Sequence, residues 1–449
     1  MEDKLSAIAQ EERSSTGAGG AAVVSPLKVF VLTMGCAKNE VDSSRMVEKL
    51  LAAGASIIDD AAKADCIIVN TCSFIQAATE ESIDAIFDLY GLPRVAAGKA
   101  KLIVAGCMPS RYGEELEESL PEVECFVPCS AEDDIVSVVG RLFPGRLGGA
   151  QLFIPMSEPS VYVKISDGCD RFCSFCTIPF IRGRYHSYSY EEIYQEVSAH
   201  VAAGAAEIVL IAQDTGRWGQ DFSEPSSLAQ LLKRLAESFP KTWFRVMYIQ
   251  PEGVSDELLD VIAEHDNIAS YLDIPLQHAN PRLISAMNRV GSGEAFLNLV
   301  NKIRSRIPGV TLRTTLIAGF PGEEDEDFEE LCQFVEDAEF DYVGVFAYSQ
   351  EEGTRAAKLA EQVDEEVKAE RAQTLRDIAD SLSSARVAER IGQAIDVLVL
   401  GREEDGQLYG RAMCQAPDVD GVVFLSTGDI GGVVRVTIAD TLLYDMEAE

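Results

Sequence analysis

The sequence predicts a multidomain α/β protein. It has an N-terminal domain on a parallel sheet, a central partial (β/α)6 barrel, and a small, antiparallel, OB-like β-barrel at the C-terminus. Three observations predict it. Strand-length apolar runs alternate with helical stretches over most of the chain, which is the pattern of a parallel sheet. From residue 394 the pattern changes to short β runs punctuated by Gly401, Gly406, Gly421 and Gly432. The chain has 449 residues, 47% of them apolar, enough core for roughly two to four domains.

Residues 1–26, with Ser14, Ser15, Gly17, Gly19 and Gly20, read as a disordered tail. The N-terminal domain, 27–145, has strands over 27–33, 66–69 and 102–105, with helical stretches such as 41–53 and 79–89 between them. The strands run into Gly35-Cys36, Asn70-Thr71-Cys72 and Gly106-Cys107. Ligands of open α/β sheets bind outside the carboxyl ends of the strands. The three cysteines stand there, 36 and 35 residues apart, one βα repeat each. One such cysteine is an ordinary small buried residue, whereas three at equivalent places point to a shared metal site. Cys66, Cys125, Cys129, Cys332 and Cys414 read as packing residues.

The central segment, 155–360, offers six strands, over 162–165, 208–212, 244–249, 271–274, 312–317 and 342–346. Helical stretches over 190–203, 228–239, 255–264, 295–307 and 325–337 separate them. Six βα units fall two short of the closed eightfold barrel and leave an open side for a large substrate. The first strand leads into Cys169, Cys173 and Cys176, spaced C-x3-C-x2-C. A cubane 4Fe–4S cluster takes four thiolates. Three leave one iron open, and an open position is where metal chemistry happens. The amino and carboxylate groups of S-adenosylmethionine can chelate that iron. Zinc held by the three thiols and His186 fits no usual zinc spacing, and a disulfide needs an oxidising compartment.

Further polar and aromatic residues lie on the same loop face. Phe175 is inside the motif. Gln213 and Asp214 follow the second strand, Gln277 and His278 the fourth. Arg313 is on the fifth, which runs into Gly319-Phe320-Pro321-Gly322-Glu323, and Tyr348-Ser349 ends the sixth. Phe175, Gln213, Gln277, Arg313 and Tyr348 are the candidate cofactor contacts. Turn and helix-start roles compete, above all at Pro321, Gly322 and Glu323.

Residues 361–390 read as a charged linker helix, and 391–449 as the terminal barrel, with strands over 395–400, 407–412, 422–425, 433–438 and 442–444. The whole chain carries a net charge of −36. From Val387 to Glu449, four arginines face twelve acids, a net of −8. Nucleic-acid binders carry a basic face, so this domain suits a basic protein partner. There is no apolar run of membrane-span length and no signal-peptide pattern. With eleven cysteines in such a chain, the expectations are a cytoplasmic location, metal binding in place of disulfides, and a monomer.

From Lys28 to its C-terminus the chain resembles the methylthiotransferases of the radical S-adenosylmethionine superfamily, with a three-cysteine N-terminal domain, the C-x3-C-x2-C barrel and a TRAM domain. The stretch Ile178-Pro179-Phe180-Ile181-Arg182-Gly183 is similar to the family's continuation of the motif. The resemblance implies two 4Fe–4S clusters: a radical cluster on Cys169, Cys173 and Cys176, and an auxiliary cluster on Cys36, Cys72 and Cys107. S-adenosylmethionine is the co-substrate. One branch of the family modifies a tRNA adenosine, and the other an aspartate of small-subunit ribosomal protein twelve. Ala212-Gln213-Asp214-Thr215, the strand 312–317, Tyr409-Gly410-Arg411 and the run 416–421 resemble the second branch, while Cys414 and Gln415 depart from its usual residues.

The expected activity is methylthio transfer to the β-carbon of that aspartate. The carbon is saturated, so no general base or nucleophile activates it at neutral pH, and homolysis by a carbon radical is required. Both open irons must then face one cavity between the first two domains. The expected partners are a basic ribosomal protein and a low-potential electron donor such as flavodoxin or ferredoxin, with tRNA disfavoured. A non-catalytic iron–sulfur factor on the ribosome is the alternative of another class; S-adenosylmethionine cleavage separates the two.

Overall fold

A computed structural model describes residues 25–148 and 158–449. The tail expected over 1–26 lies outside the described residues as far as residue 24.

In the first unit β1 (Lys28–Thr33), β2 (Ser56–Ile57), β3 (Cys66–Thr71), β4 (Lys101–Gly106) and β5 (Cys125–Pro128) form one parallel sheet in the order β2-β1-β3-β4-β5. β3 is buried along its whole length, which explains its unbroken apolar run. Alternate residues feed two cores, with Cys66 and Ile68 on one face and Ile67 and Val69 on the other. β2 and β5 are too short to show a period in the sequence. The chain leaves β1 for β2 on one side, then returns past β1 to β3. This reversal opens a crevice at the carboxyl ends of β1 and β3.

The central unit holds the six expected strands: β6 (Ser160–Lys164), β7 (Glu207–Ile211), β8 (Trp243–Val246), β9 (Tyr271–Asp273), β10 (Thr311–Ala318) and β11 (Tyr342–Ala347). They form two parallel three-stranded sheets, β6-β7-β8 and β9-β10-β11, bridged at Phe244 and Ile268. Serine caps start the outer helices. Ser189 accepts from the Glu192 N–H while the Glu192 carboxylate accepts from the Ser189 N–H. Ser227, Ser255 and Ser292 cap later helices by the one-way bond alone, each side chain accepting from the N–H three residues on.

The helix Glu365–Ala388, expected as a linker, is part of the barrel. Its Ala372 and Leu375 are buried in the barrel core, and Arg371 pairs with Glu323 at 2.9 Å. The terminal unit comprises β12 (Ala394–Arg402), β13 (Leu408–Ala412), β14 (Val423–Leu425), β15 (Val433–Leu442) and β16 (Asp445–Ala448). They close in the order β12-β13-β14-β16-β15, antiparallel except for the parallel pair β14–β16.

Strand residues alternate in the central barrel too. Ile208 and Leu210 face the outer helices. Val209, Ile211, Met247, Tyr271 and Tyr342 face the other way and share one buried cluster with Val397, Val399 and Leu408 of the terminal barrel. Ala37 and Val41 of the N-terminal unit join that same cluster. The interior of the partial barrel is thus packed by both neighbouring units. Near the strand starts, Glu207 binds Arg245 and Arg411, and Tyr271 donates to Asp420.

Candidate active site

Cys36 precedes the helix Ala37–Ala52 as its cap residue, and Cys107 opens the helix Cys107–Tyr112. Two glycines let the strand ends close on one another. Gly35 has φ +95°, and a Cβ there would lie 2.5 Å from the Cys72 Cβ. Gly106 has φ +94°, and its Cβ would fall 2.2 Å from Asn70 Oδ1. Only glycine accepts both the conformation and the crowding. Asn39 ties the loops together. Its amide donates to the Met34 and Thr71 carbonyls, both at 2.9 Å, and its Oδ1 accepts from the Cys107 thiol at 3.6 Å. Ser82 brackets Cys72, accepting from its N–H at 3.2 Å and donating to its carbonyl at 2.9 Å.

The second thiol loop leaves β6. The Cys169 N–H donates to the Gly183 carbonyl at 3.2 Å, and the Cys176 N–H to the Cys173 carbonyl at 3.1 Å. Asn288 fixes the loop by donating to the Arg171 and Phe172 carbonyls, each at 3.0 Å. Phe172 stands at φ +49°, a strained place for a bulky side chain. Burial pushes the Cys72, Cys169 and Cys173 thiols up, and the Cys176 thiol up to about 12. A bare thiolate is costly here. Metal ligation, which expels the proton and compensates the charge, suits the setting.

All the cysteines are free, and the two sets of three thiols have the donor chemistry of iron–sulfur ligands. Among the described residues, no three His, Cys, Asp or Glu side chains converge as ligands of one ion. Each thiolate of a cubane takes a different iron, so cluster ligands stand farther apart than those.

The two loops meet. Thr177, next to Cys176, donates from Oγ1 to the Phe74 carbonyl at 3.0 Å, two residues beyond Cys72. Arg182 crosses the same boundary. Its guanidinium donates to Asn39 Oδ1 at 2.7 Å and to Asp42 at 2.7 Å, and its Nη2 lies 3.8 Å from Cys107 Sγ. Burial opposes that charge, but Asp42 holds its pKa well above the usual value. Glu351, beyond β11, accepts from the Gln76 N–H and from Arg111, both at 2.8 Å. Lys38 reaches over the Tyr248 ring, 3.1 Å from its centroid.

Beside the boundary lies a cavity of about 280 Å³ lined by Asp42, Cys129, Glu132, Lys164, Asp167 and Arg182. Cys129, expected only to pack, stands within hydrogen-bonding reach of Cys107, a contact that pushes its pKa up. Burial, with Asp42 nearby, pushes Glu132 up to about 10.

The expected cofactor contacts divide. Gln213 Oε1 and Tyr348 Oη are buried with no partner among the described residues. Tyr348 packs in an apolar cluster that Phe175 covers. Gln277, at φ +75°, continues the sheet through its backbone, with its N–H on the Thr315 carbonyl at 2.8 Å. Asp214 pairs with Arg171 next to Cys169. The structure takes Arg313 elsewhere. It binds Asp273 at 3.1 Å and Asp420 of the terminal barrel at 3.5 Å. Glu323 accepts from the Gly319 N–H and from Arg371, so that turn braces the fold. Sequence reasoning missed Lys38, Asn39 and Glu351, and gave Arg182 only as part of the family-like stretch 178–183 with no role of its own. The available signal was the polar run Lys38-Asn39-Glu40 directly behind Cys36.

Comparison with known proteins places this architecture. Residues 28–128 match the uncharacterized protein family UPF0004, 163–335 the radical SAM superfamily, and 391–449 the TRAM domain. Ribosomal protein uS12 methylthiotransferase RimO of Trichlorobacter lovleyi is 42% identical, over 94% of this chain and 98% of the relative. The chain belongs to the ribosomal protein uS12 methylthiotransferase family. Relatives of the same name from Clostridioides difficile and Geobacter sulfurreducens are 39% and 40% identical, each over 94% of this chain and 98% of its own length.

Among solved structures, the radical S-adenosylmethionine methyltransferase TsrM of Kitasatospora setae, with cobalamin and a [4Fe-4S] cluster bound, aligns with a TM-score of 0.54. The identity is 14%, over 72% of each chain. The cobalamin-dependent radical enzyme OxsB aligns at 0.51, with 12% identity over 80% of this chain and 56% of that one. At those identities the likeness is one of fold. No helix among the described residues is long and apolar enough to cross a membrane.

Proposed function

We propose that this chain is a radical S-adenosylmethionine enzyme that transfers a methylthio group to the β-carbon of an aspartate in ribosomal protein uS12. One observation carries the reading. In a chain of this family, the three strand ends that carry Cys36, Cys72 and Cys107 and the loop that carries Cys169, Cys173 and Cys176 meet at a single domain boundary, tied by Thr177 to Phe74 and by Arg182 to Asn39. Cys169, Cys173 and Cys176 hold one 4Fe–4S cluster, and Cys36, Cys72 and Cys107 a second. When bound, the first supplies reductive cleavage of S-adenosylmethionine to a carbon radical, and the second carries the sulfur.

The protein's own part is placement and exclusion of water. Asn288 and the Asp214–Arg171 pair fix the Cys169 loop. Phe175 and Tyr348 form an apolar wall beside it, and the unpaired Gln213 Oε1 and Tyr348 Oη offer polar contacts to the co-substrate. Gln277 adds its side chain at the end of β9. Arg313 serves the docking of the terminal barrel, so it is not one of these contacts. Glu403, Glu404, Asp405, Asp429, Asp440 and Glu447 stay exposed on that barrel, a surface suited to a basic ribosomal protein and unsuited to a polyanion. Flavodoxin or ferredoxin in the cytoplasm would supply the electrons.

Mass spectrometry of uS12 and of tRNA from cells with and without the gene tests the reading. The expected result is a methylthio mass increment on an aspartate of uS12 that vanishes with the gene, with tRNA unchanged. Loss of the increment from tRNA instead would overturn it.

A further inference from the structure

Lys38 lies in the first turn of the helix Ala37–Ala52, two residues after Cys36. A cation there opposes the helix dipole, so helix stability gives no reason for it. Its ammonium reaches across the domain boundary to the Tyr248 ring, 3.1 Å from the centroid, with no hydrogen bond or ion pair to a described residue. Tyr248 follows β8 on the loop face of the barrel, and its N–H donates to Asp273 at 3.3 Å. Lys38 thus spans from the Cys36 loop to the rim that carries the Cys169 loop.

Neighbouring cations at this boundary have partners. Arg289, beside Cys173, has neutral oxygens, donating to Gln250 and to the Pro275 carbonyl. The others have carboxylates. Arg182 and Lys164 share Asp42 and Asp167. Arg171 has Asp214 and Glu252, and Arg111 has Glu351. Lys38 forms no ion pair of its own, because the nearby Asp273 is already paired with Arg313. A half-buried ammonium so placed is held at a cost, and an arriving carboxylate would reduce that cost.

We infer that Lys38 anchors the carboxylate of the substrate aspartate. This rests on the function proposed above. The β-carbon is bonded directly to the carboxylate carbon, so a carboxylate held by Lys38 places that carbon between the two thiol loops. The charge-assisted contact also distinguishes aspartate from its uncharged analogues. Lys38 is a positioning and specificity residue; no bond to it forms or breaks.

The test uses the reconstituted full chain and purified uS12, with the target aspartate intact or changed to alanine. Equilibrium binding is read by fluorescence anisotropy and methylthio transfer by mass spectrometry. The wild-type chain is expected to bind intact uS12 at least about tenfold more tightly than the alanine form. Lys38→Met should bind the two equally and show a raised KM. Lys38→Arg, which keeps the cation, should keep most of the discrimination. Iron content and melting temperature establish that each variant is folded. If Lys38→Met discriminates as the wild type does while the wild type modifies uS12, the anchor is wrong and the proposed function stands. If the wild type leaves uS12 unmodified, the function falls and the anchor with it.

Discussion

The guanidinium of Arg182, carried on the loop that follows Cys176, lies 3.8 Å from the sulfur of Cys107 in the neighbouring domain. One side chain thereby bridges thiol-bearing loops that belong to separate sheets. It is almost fully buried and forked between Asp42 and Asn39, a geometry that suits arginine and not lysine.

Arg182→Met leaves Asp42 and Asp167 short of a partner. The expected loss is about 3–5 kcal/mol, the usual penalty for breaking a buried pair, read from urea unfolding of the cluster-free chain. In the loaded chain, S-adenosylmethionine cleavage should continue while methylthio transfer per cleavage falls. An unchanged ratio would mean that Arg182 only stabilises the fold.

Removing single thiols should divide the two sites. Reconstitution of the wild type should give about eight irons per chain, and Cys173→Ala or Cys72→Ala about four each if both sites are cubanes. Cys173→Ala should abolish deoxyadenosine formation, whereas Cys72→Ala should keep it and lose sulfur transfer. A Cys72→Ala chain that still transfers sulfur would refute the assigned roles.

Gly106→Ala tests the turn that presents Cys107. The new Cβ would meet Asn70 Oδ1 at 2.2 Å, at φ +94°. The backbone lies in a region that essentially only glycine occupies, at a conformational cost of about 1–3 kcal/mol, so the melting temperature should drop. Iron loss should fall on the Cys36, Cys72 and Cys107 site first. Equal loss from both sites would argue for general unfolding.

Docking of the terminal barrel should be acid-sensitive. Burial alone would raise the Glu207 carboxyl, but Arg411 and Arg245 hold it down at about 2, against 4.5 for the free group. A depressed acid contributes stability that is fully present above its unfolded pKa and is lost as the pH falls from about 4.5 towards 2. Urea midpoints of the cluster-free chain should therefore decline over that window. Glu207→Gln should flatten the decline and be less stable at pH 7. An unaltered pH profile would exclude Glu207 as its source.

The legible part of the fold was the part with a period. Cys66–Val69 of β3 and the apolar cores of the six barrel strands, such as Ile208–Ile211 in β7, registered as strand-length runs between helical stretches. β2 and β5 carried too few residues to register. The helix Glu365–Ala388 was misjudged as a linker because its buried stripe, Ala372, Leu375 and Ala379, is narrow among many charges. Arg313 was legible as a polar residue on a barrel strand. Its partner Asp420 lies 107 positions away in another domain, and no local pattern announces such a pairing.

By itself the sequence determined the thiol inventory: two sets of three, one fixed by short spacing and the other by recurrence at strand ends. It also determined the acidic surface, since both follow from residue identity along the chain. Only the tertiary structure decided that the two sets face one boundary and that Arg182 bridges it. The same holds for Lys38, which arrives there without an acid partner. Those relations depend on how separately folded sheets dock, and docking is set by buried side chains distant in sequence.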